Sequence, residues 1–115
     1  MKTKDIDKIA IQIMGWEKRK AYWSLFDSDA DHWFEGNERQ HNVTSWNPFI
    51  NIAHAWEVVE KIVKDTNIYF EVCRYGNGEW VTFMGQGNKG FEIDEYADTA
   101  PLAICKAALK AMEVE

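Results

Sequence analysis

The densest run of possible metal ligands is Asp27-Ser28-Asp29-Ala30-Asp31, with Glu38 standing eleven residues after Asp27. Positions 1, 3, 5 and 12 of this window are acidic and Phe34 fills its apolar eighth position. Calcium loops use that spacing because several oxygens must converge on one hard cation. Two features oppose the reading. His32 occupies the sixth position, where the sharp turn wants glycine, and no helical periodicity enters the window. Asp27, Asp29, Asp31 and Glu38 are therefore a subsidiary calcium candidate, and the leading expectation is a solvated acidic loop that holds no metal.

Catalytic spacings are missing. His32, His41 and His54 do not fall in a zinc-binding pattern, and Cys73 and Cys105 lie too far apart for a paired-cysteine metal knuckle. A nucleophilic cysteine needs an oriented base beside it, and neither has one in the sequence. Gly85-Gln86-Gly87-Asn88-Lys89-Gly90 has the glycines of a phosphate loop, but it reads better as a hairpin turn. The expectation is a protein that is not an enzyme and needs no cofactor.

Binding has more support. The chain holds six tryptophans, and Trp and Tyr supply contact area at small entropic cost. Cations stand beside aromatics in Lys18-Arg19-Lys20-Ala21-Tyr22-Trp23 and in Arg74-Tyr75, close in sequence to Trp80. A nucleotide-like ligand wants that pairing, a ring for the base and a cation for the phosphate. The candidate ligand set is Trp23, Arg39, Arg74, Tyr75 and Trp80, with core packing as the alternative role for Trp23 and Trp80. A different use is open to Glu92, Asp94, Glu95 and Asp98. Carboxylates can imitate phosphates toward a nucleic-acid-binding enzyme, although such a run also suits a solvated strand face.

Three helices and a meander must position these groups. Ile6, Ile9, Ala10, Ile13 and Met14 make an apolar stripe at helical spacing, with Thr3 or Asp5 as a cap and Gly15 as the stop. A second helix spans about Ile52 to Lys64, with Ile52, Ala55, Trp56, Val59, Ile62 and Val63 as its inner face. Glu57→Lys61 and Glu60→Lys64 have the favourable order for i,i+4 pairs. The third follows Asp98-Thr99, with Pro101 in its first turn and an alanine-rich inner face that implies close packing. Between them the period falls to two, giving strands from Ile68 to Cys73, Trp80 to Met84 and Phe91 to Glu95, with a turn at Gly76-Asn77-Gly78. Residues 16–49, apart from a short strand at Tyr22 to Phe26, read as a long ordered loop rich in aromatics.

The chain has 115 residues, 46% hydrophobic, with 13 Lys and Arg against 19 Asp and Glu. That length suits one domain, residues 1–115. A net charge of −6 opposes direct binding to nucleic acid, and no apolar run reaches a membrane span. Two cysteines and no apolar signal run at the start suit a reducing cytosol.

Two segments are more specific than patterning. Ala55-Trp56-Glu57-Val58-Val59-Glu60-Lys61 and Ala97-Asp98-Thr99-Ala100-Pro101-Leu102-Ala103-Ile104-Cys105 resemble the two signature segments of the phage ABA sandwich domain family. Met14-Gly15-Trp16 and Asn47-Pro48 are similar to it as well, whereas Phe49, Ile50 and Asn51 depart from its small polar residues. The resemblance implies a phage protein of layered α+β architecture, helices packed on a small antiparallel sheet of three to four strands, and no shared chemistry. The function expected is that of a non-enzymatic phage accessory protein in the host bacterial cytoplasm, with counter-defence as its role. Its partner would be a nucleotide-like small molecule, held in one chain or at an interface between copies in a homo-oligomer. The alternatives are a host defence enzyme, inhibited through the aromatic loop 16–49, or a phage role unconnected with defence.

Overall fold

In the computed structural model, residues 3–20, 31–66, 68–86 and 91–114 are described. Helix α1 (Thr3–Lys8) widens into a π-helical turn over Ile9–Ile13. Strands β1 (Glu17–Lys20), β2 (Asp31–Glu35) and β3 (Glu38–Asn42) follow, then α2 (Ile52–Asp65). Strands β4 (Tyr69–Arg74), β5 (Trp80–Gln86) and β6 (Phe91–Ala97) lead into α3 (Ala100–Val114). The chain divides into two compact units, residues 1–47 and 48–115.

In the first unit the N-terminal stripe behaves as its spacing requires. Ile9, Ala10 and Met14 are buried, and Gly15 takes φ +72°, the left-handed conformation that ends a helix at little steric cost. The Met14 amide donates to the Ile9 carbonyl at 3.1 Å and the Trp16 amide to the Ala10 carbonyl at 3.0 Å. Antiparallel pairing gives the order β1-β2-β3. Gly36, at φ +62°, turns β2 into β3. Trp16 meets Trp46 edge-on at 4.8 Å between ring centroids, and His41 lies 5.8 Å from Trp16 and 6.2 Å from Trp46.

This sheet replaces the long loop expected over residues 16–49. The reason is compositional. Glu17-Lys18-Arg19-Lys20 and Glu38-Arg39-Gln40-His41-Asn42 are polar throughout, so neither carries the apolar alternation that marks a strand. Only β2 does the burying, with His32, Trp33 and Phe34 all inside. The strand expected at Tyr22 to Phe26 lies outside the described residues. A single sheet of three to four strands is thus corrected to two sheets of three among the described residues.

The second unit follows its sequence closely. Asn51 caps α2, its Oδ1 accepting from the His54 amide at 3.1 Å. Thr99 does the same for α3, accepting from the Leu102 amide at 3.4 Å. Along α2, Lys61 Nζ pairs forward with Asp65 at 3.0 Å. Sheet order is β4-β5-β6, with Phe70 opposite Met84 and Met84 opposite Ile93. The 2-residue alternation puts Phe70, Val72, Thr82, Met84, Ile93 and Ala97 on one face. There Phe70 and Val72 pack against Ala55 and Val59 of α2 and Ile104 of α3. Ala103, Ala107 and Ala108 are fully buried, so α3 lies close against its neighbours. Tyr69, Glu71, Cys73, Val81, Phe83, Glu92, Asp94 and Tyr96 take the opposite face.

Candidate functional site

The inner face expected for α2 is wider than the surface that covers it. At 100° per residue the six positions expected inside span an arc of about 120°, and Val58 widens the apolar arc to about 160°, against the ~100° that one packing seam needs. Ala55, Val58, Val59 and Ile62 occupy one side of that arc and are buried. Ile52, Trp56 and Val63 occupy the other side and are 52%, 47% and 46% exposed. The reading of these three as inner-face residues is therefore corrected. They form an apolar edge beside the buried seam.

Two of them line a groove. Ile52 and Trp56 from α2 face Thr99, Ala100, Pro101 and Ile104 at the start of α3, with Val72 and Trp80 of the sheet and Asp98 at the rim. Its volume, about 560 Å³, is of the size that takes a small-molecule ligand. The groove is mostly apolar. Both helices begin beside it, and neither has an acidic residue in its first turn. Helix N-termini carry partial positive charge, so the two starts favour an anion while the Asp98 carboxylate opposes one. Arg74 is the cross-strand partner of Trp80, on the strand face that also carries Val72. Its guanidinium does not line the groove and lies by the hairpin turn, Nη2 3.9 Å from where a Cβ on Gly78 would stand.

The family's sequence model, described as the phage ABA sandwich domain, matches residues 7–109. The chain belongs to that family. It is also similar to a solved phage protein from Bacillus cereus ATCC 14579, with 28% identity and a TM-score of 0.66, covering 100% of this chain and 91% of that one. No curated protein sequence matches. These likenesses make this ABA sandwich domain a bacteriophage protein of α+β fold, its family match running through both compact units.

The expected ligand residues of the second unit fall on different sides of the β4–β5 hairpin. Arg74 and Trp80 are paired. Tyr75 turns to the other side of the hairpin, where its ring lies 6.2 Å from that of Tyr96. Arg39 is in β3 of the first unit, and Trp23 lies outside the described residues. Sequence reasoning missed Ile52, Trp56, Pro101 and Ile104 as groove residues because each fits a packing role equally well. The excess width of the α2 stripe was the available signal.

The other candidate constellations are also spread out. Lys18 pairs with Asp7 at 3.1 Å and lies over the Trp33 ring at 5.3 Å. Arg19 donates to the Gly36 carbonyl at 2.8 Å and stacks on Phe34 at 5.0 Å. Two of the three cations in that run, Lys18 and Arg19, are thus engaged within the first unit. Asp31 and Glu38 stand at opposite ends of the β2–β3 ladder, about 13 Å apart at the usual rise per residue, and do not converge on a cation. Asp27 and Asp29 lie outside the described residues. Trp16, Trp33, Phe34, Trp46 and Phe49 are buried, so the aromatics described within residues 16–49 are committed to packing and present no contact surface.

The two thiols are held protonated. A hydrogen bond from Cys73 Sγ to the Glu71 carboxylate, 3.4 Å long, raises the Cys73 pKa above its ordinary value, with desolvation adding to the effect. Burial alone pushes the Cys105 thiol up. Neither is an activated nucleophile. Among the described residues no helix is long and apolar enough to cross a membrane.

Proposed function

We propose that this ABA sandwich domain is a non-enzymatic phage accessory protein of the host cytoplasm, and that it binds a nucleotide-like small molecule in the groove between α2 and α3. One observation carries the reading: the half-exposed Trp56 shares an apolar groove with Trp80, whose strand partner is Arg74. A planar base gains from stacking on an indole, and a guanidinium is the side chain suited to a phosphate oxygen pair. Sequestering a nucleotide signal of the host is a counter-defence role that needs binding without turnover. The raised thiol pKa values are consistent with a protein that does no nucleophilic chemistry.

Isothermal titration with AMP, GMP and cyclic dinucleotides, with ribose 5-phosphate as the base-free control, tests this. The expected result is saturable binding of at least one nucleotide and none of the control. Trp56→Ala is expected to weaken binding about tenfold, as loss of one stacked ring implies. Arg74→Ala should weaken the nucleotide but leave its nucleoside unchanged. Binding of ribose phosphate alone, or of no nucleotide, would contradict the proposal.

A second reading follows from the same exposed edge. Ile52, Trp56 and Val63 form a row along α2 of the kind that anchors a protein partner. An inhibitor of a host enzyme would use this row in place of the aromatics of residues 16–49. Co-purification of one host protein, lost in Val63→Glu, would favour it over the nucleotide.

A further inference from the structure

The outer face of the β4–β5–β6 sheet has a chemistry unlike the groove's. Its residues by register are Tyr69, Gly85 and Glu92 in one row, Glu71, Phe83 and Asp94 in the next, and Cys73, Val81 and Tyr96 in the third. Three carboxylates stand here and no Lys or Arg falls on these positions. Tyr69 and Tyr96 are exposed on it, and Tyr75 joins them at the hairpin end through its ring contact with Tyr96.

The rows also make a hollow. Gly85 places no side chain between Tyr69 and Glu92, and Tyr69 reaches across to donate its hydroxyl to Glu92 Oε1 at 3.2 Å. Tyr69, Phe83, Glu92 and Asp94 line a depression of about 250 Å³. Two rings and two carboxylates around one small depression are the elements that recognise a desolvated organic cation. The rings offer their faces to the charge and the carboxylates accept its N–H groups. The volume admits one side chain and is too small for a nucleotide.

We infer that this sheet face docks a basic segment of a protein partner, with one Lys or Arg side chain seated between Tyr69 and Phe83 against Glu92 and Asp94. A protein is favoured over a free cation because the surface continues past the hollow. Tyr96, Tyr75 and Glu71 extend it along the hairpin, and exposed tyrosines with flanking acids are what a basic protein surface meets. The chain's net charge of −6 adds long-range attraction for such a partner. This inference is independent of the groove. Glu95 and Asp98, the other half of the acidic run, do not share the face: Glu95 falls on the opposite side of β6 and Asp98 rims the groove.

The test uses octa-arginine and octa-lysine peptides with octa-glutamine as control, titrated into the full chain and followed by fluorescence anisotropy of the labelled peptide. Binding of a basic peptide is expected, weakened about tenfold by Glu92→Gln with Asp94→Asn, since both are exposed charge-assisted acceptors. Tyr69→Leu, which leaves the charge unchanged, is expected to weaken it several-fold as well. Glu35→Gln with Glu38→Gln changes the net charge equally at the β2–β3 hairpin of the other compact unit and should have little effect. Equal losses from both double variants would reduce the effect to overall charge and overturn the docking site. So would ethylguanidinium binding as tightly as octa-arginine, which would assign the hollow to a free cation. A peptide-free dimer in sedimentation that is lost in the Glu92/Asp94 variant would give the face to a second copy instead. No binding of either basic peptide would also overturn it.

Discussion

At the scale of single residues, packing and exposure separate side chains that the sequence treats alike. Trp33 and Trp46 are 0% and 1% exposed and serve the first unit's core, while Trp56 stands half in solvent. Thr82 shows a related contrast. It is fully buried on the helix-facing side of β5, and its Oγ1 has no hydrogen-bond partner among the described residues. An unpaired buried hydroxyl is a cost that a same-shaped apolar group removes. Thr82→Val is accordingly expected to raise unfolding stability by about 1 kcal/mol, read from the urea midpoint at unchanged slope. Cys73 gives a pH prediction. Its hydrogen bond to Glu71 favours the neutral thiol, so less thiolate is present at a given pH and alkylation by iodoacetamide should lag a free thiol. Glu71→Gln removes the carboxylate's charge, and the rate profile of alkylation should move to lower pH. An unchanged profile would show that the contact does not hold the proton.

At the scale of elements, the helices of the second unit rest on identifiable local devices. Asn51→Ala removes the α2 cap and is expected to cost about 1 kcal/mol by denaturant unfolding. The buried alanines of α3 leave no room for growth, so Ala107→Leu is expected to cost about 1–3 kcal/mol through overpacking. The extents of α2, α3 and β4–β6 were legible because each has strong periodicity, with Thr99 marking the start of α3 and Gly76-Asn77-Gly78 the first turn of the sheet, whereas the Asn51 cap of α2 emerged only in the structure. Strands β1 and β3 were not legible. Their residues are polar on both faces and they gain their place by pairing with β2, a long-range relation that no local pattern records. Of the groove's lining residues, Trp80 was singled out in the sequence. Trp56 was not, because an apolar arc of about 160° looks like one inner face until the covering surface is known.

At the scale of the whole molecule, an acidic chain presents two surfaces of different character. In the proposed reading the groove would bind through its indole rings and two helix starts, with Arg74 recruited to the phosphate, and that binding should depend weakly on salt. The outer sheet face relies on carboxylates, so peptide binding there should fall steeply as ionic strength rises past the point where the screening length drops below ~10 Å. The central claim concerns the groove, and indole NMR tests it most directly. The six tryptophans give six Nε1–H signals, assignable by single Trp→Phe substitutions. On adding a nucleotide from the panel, the signals of Trp56 and Trp80 are expected to shift in a saturable manner, while those of the buried Trp33 and Trp46 stay in place. Silence at Trp56 and Trp80 throughout the panel, or shifts led by Trp33 and Trp46, would contradict the account.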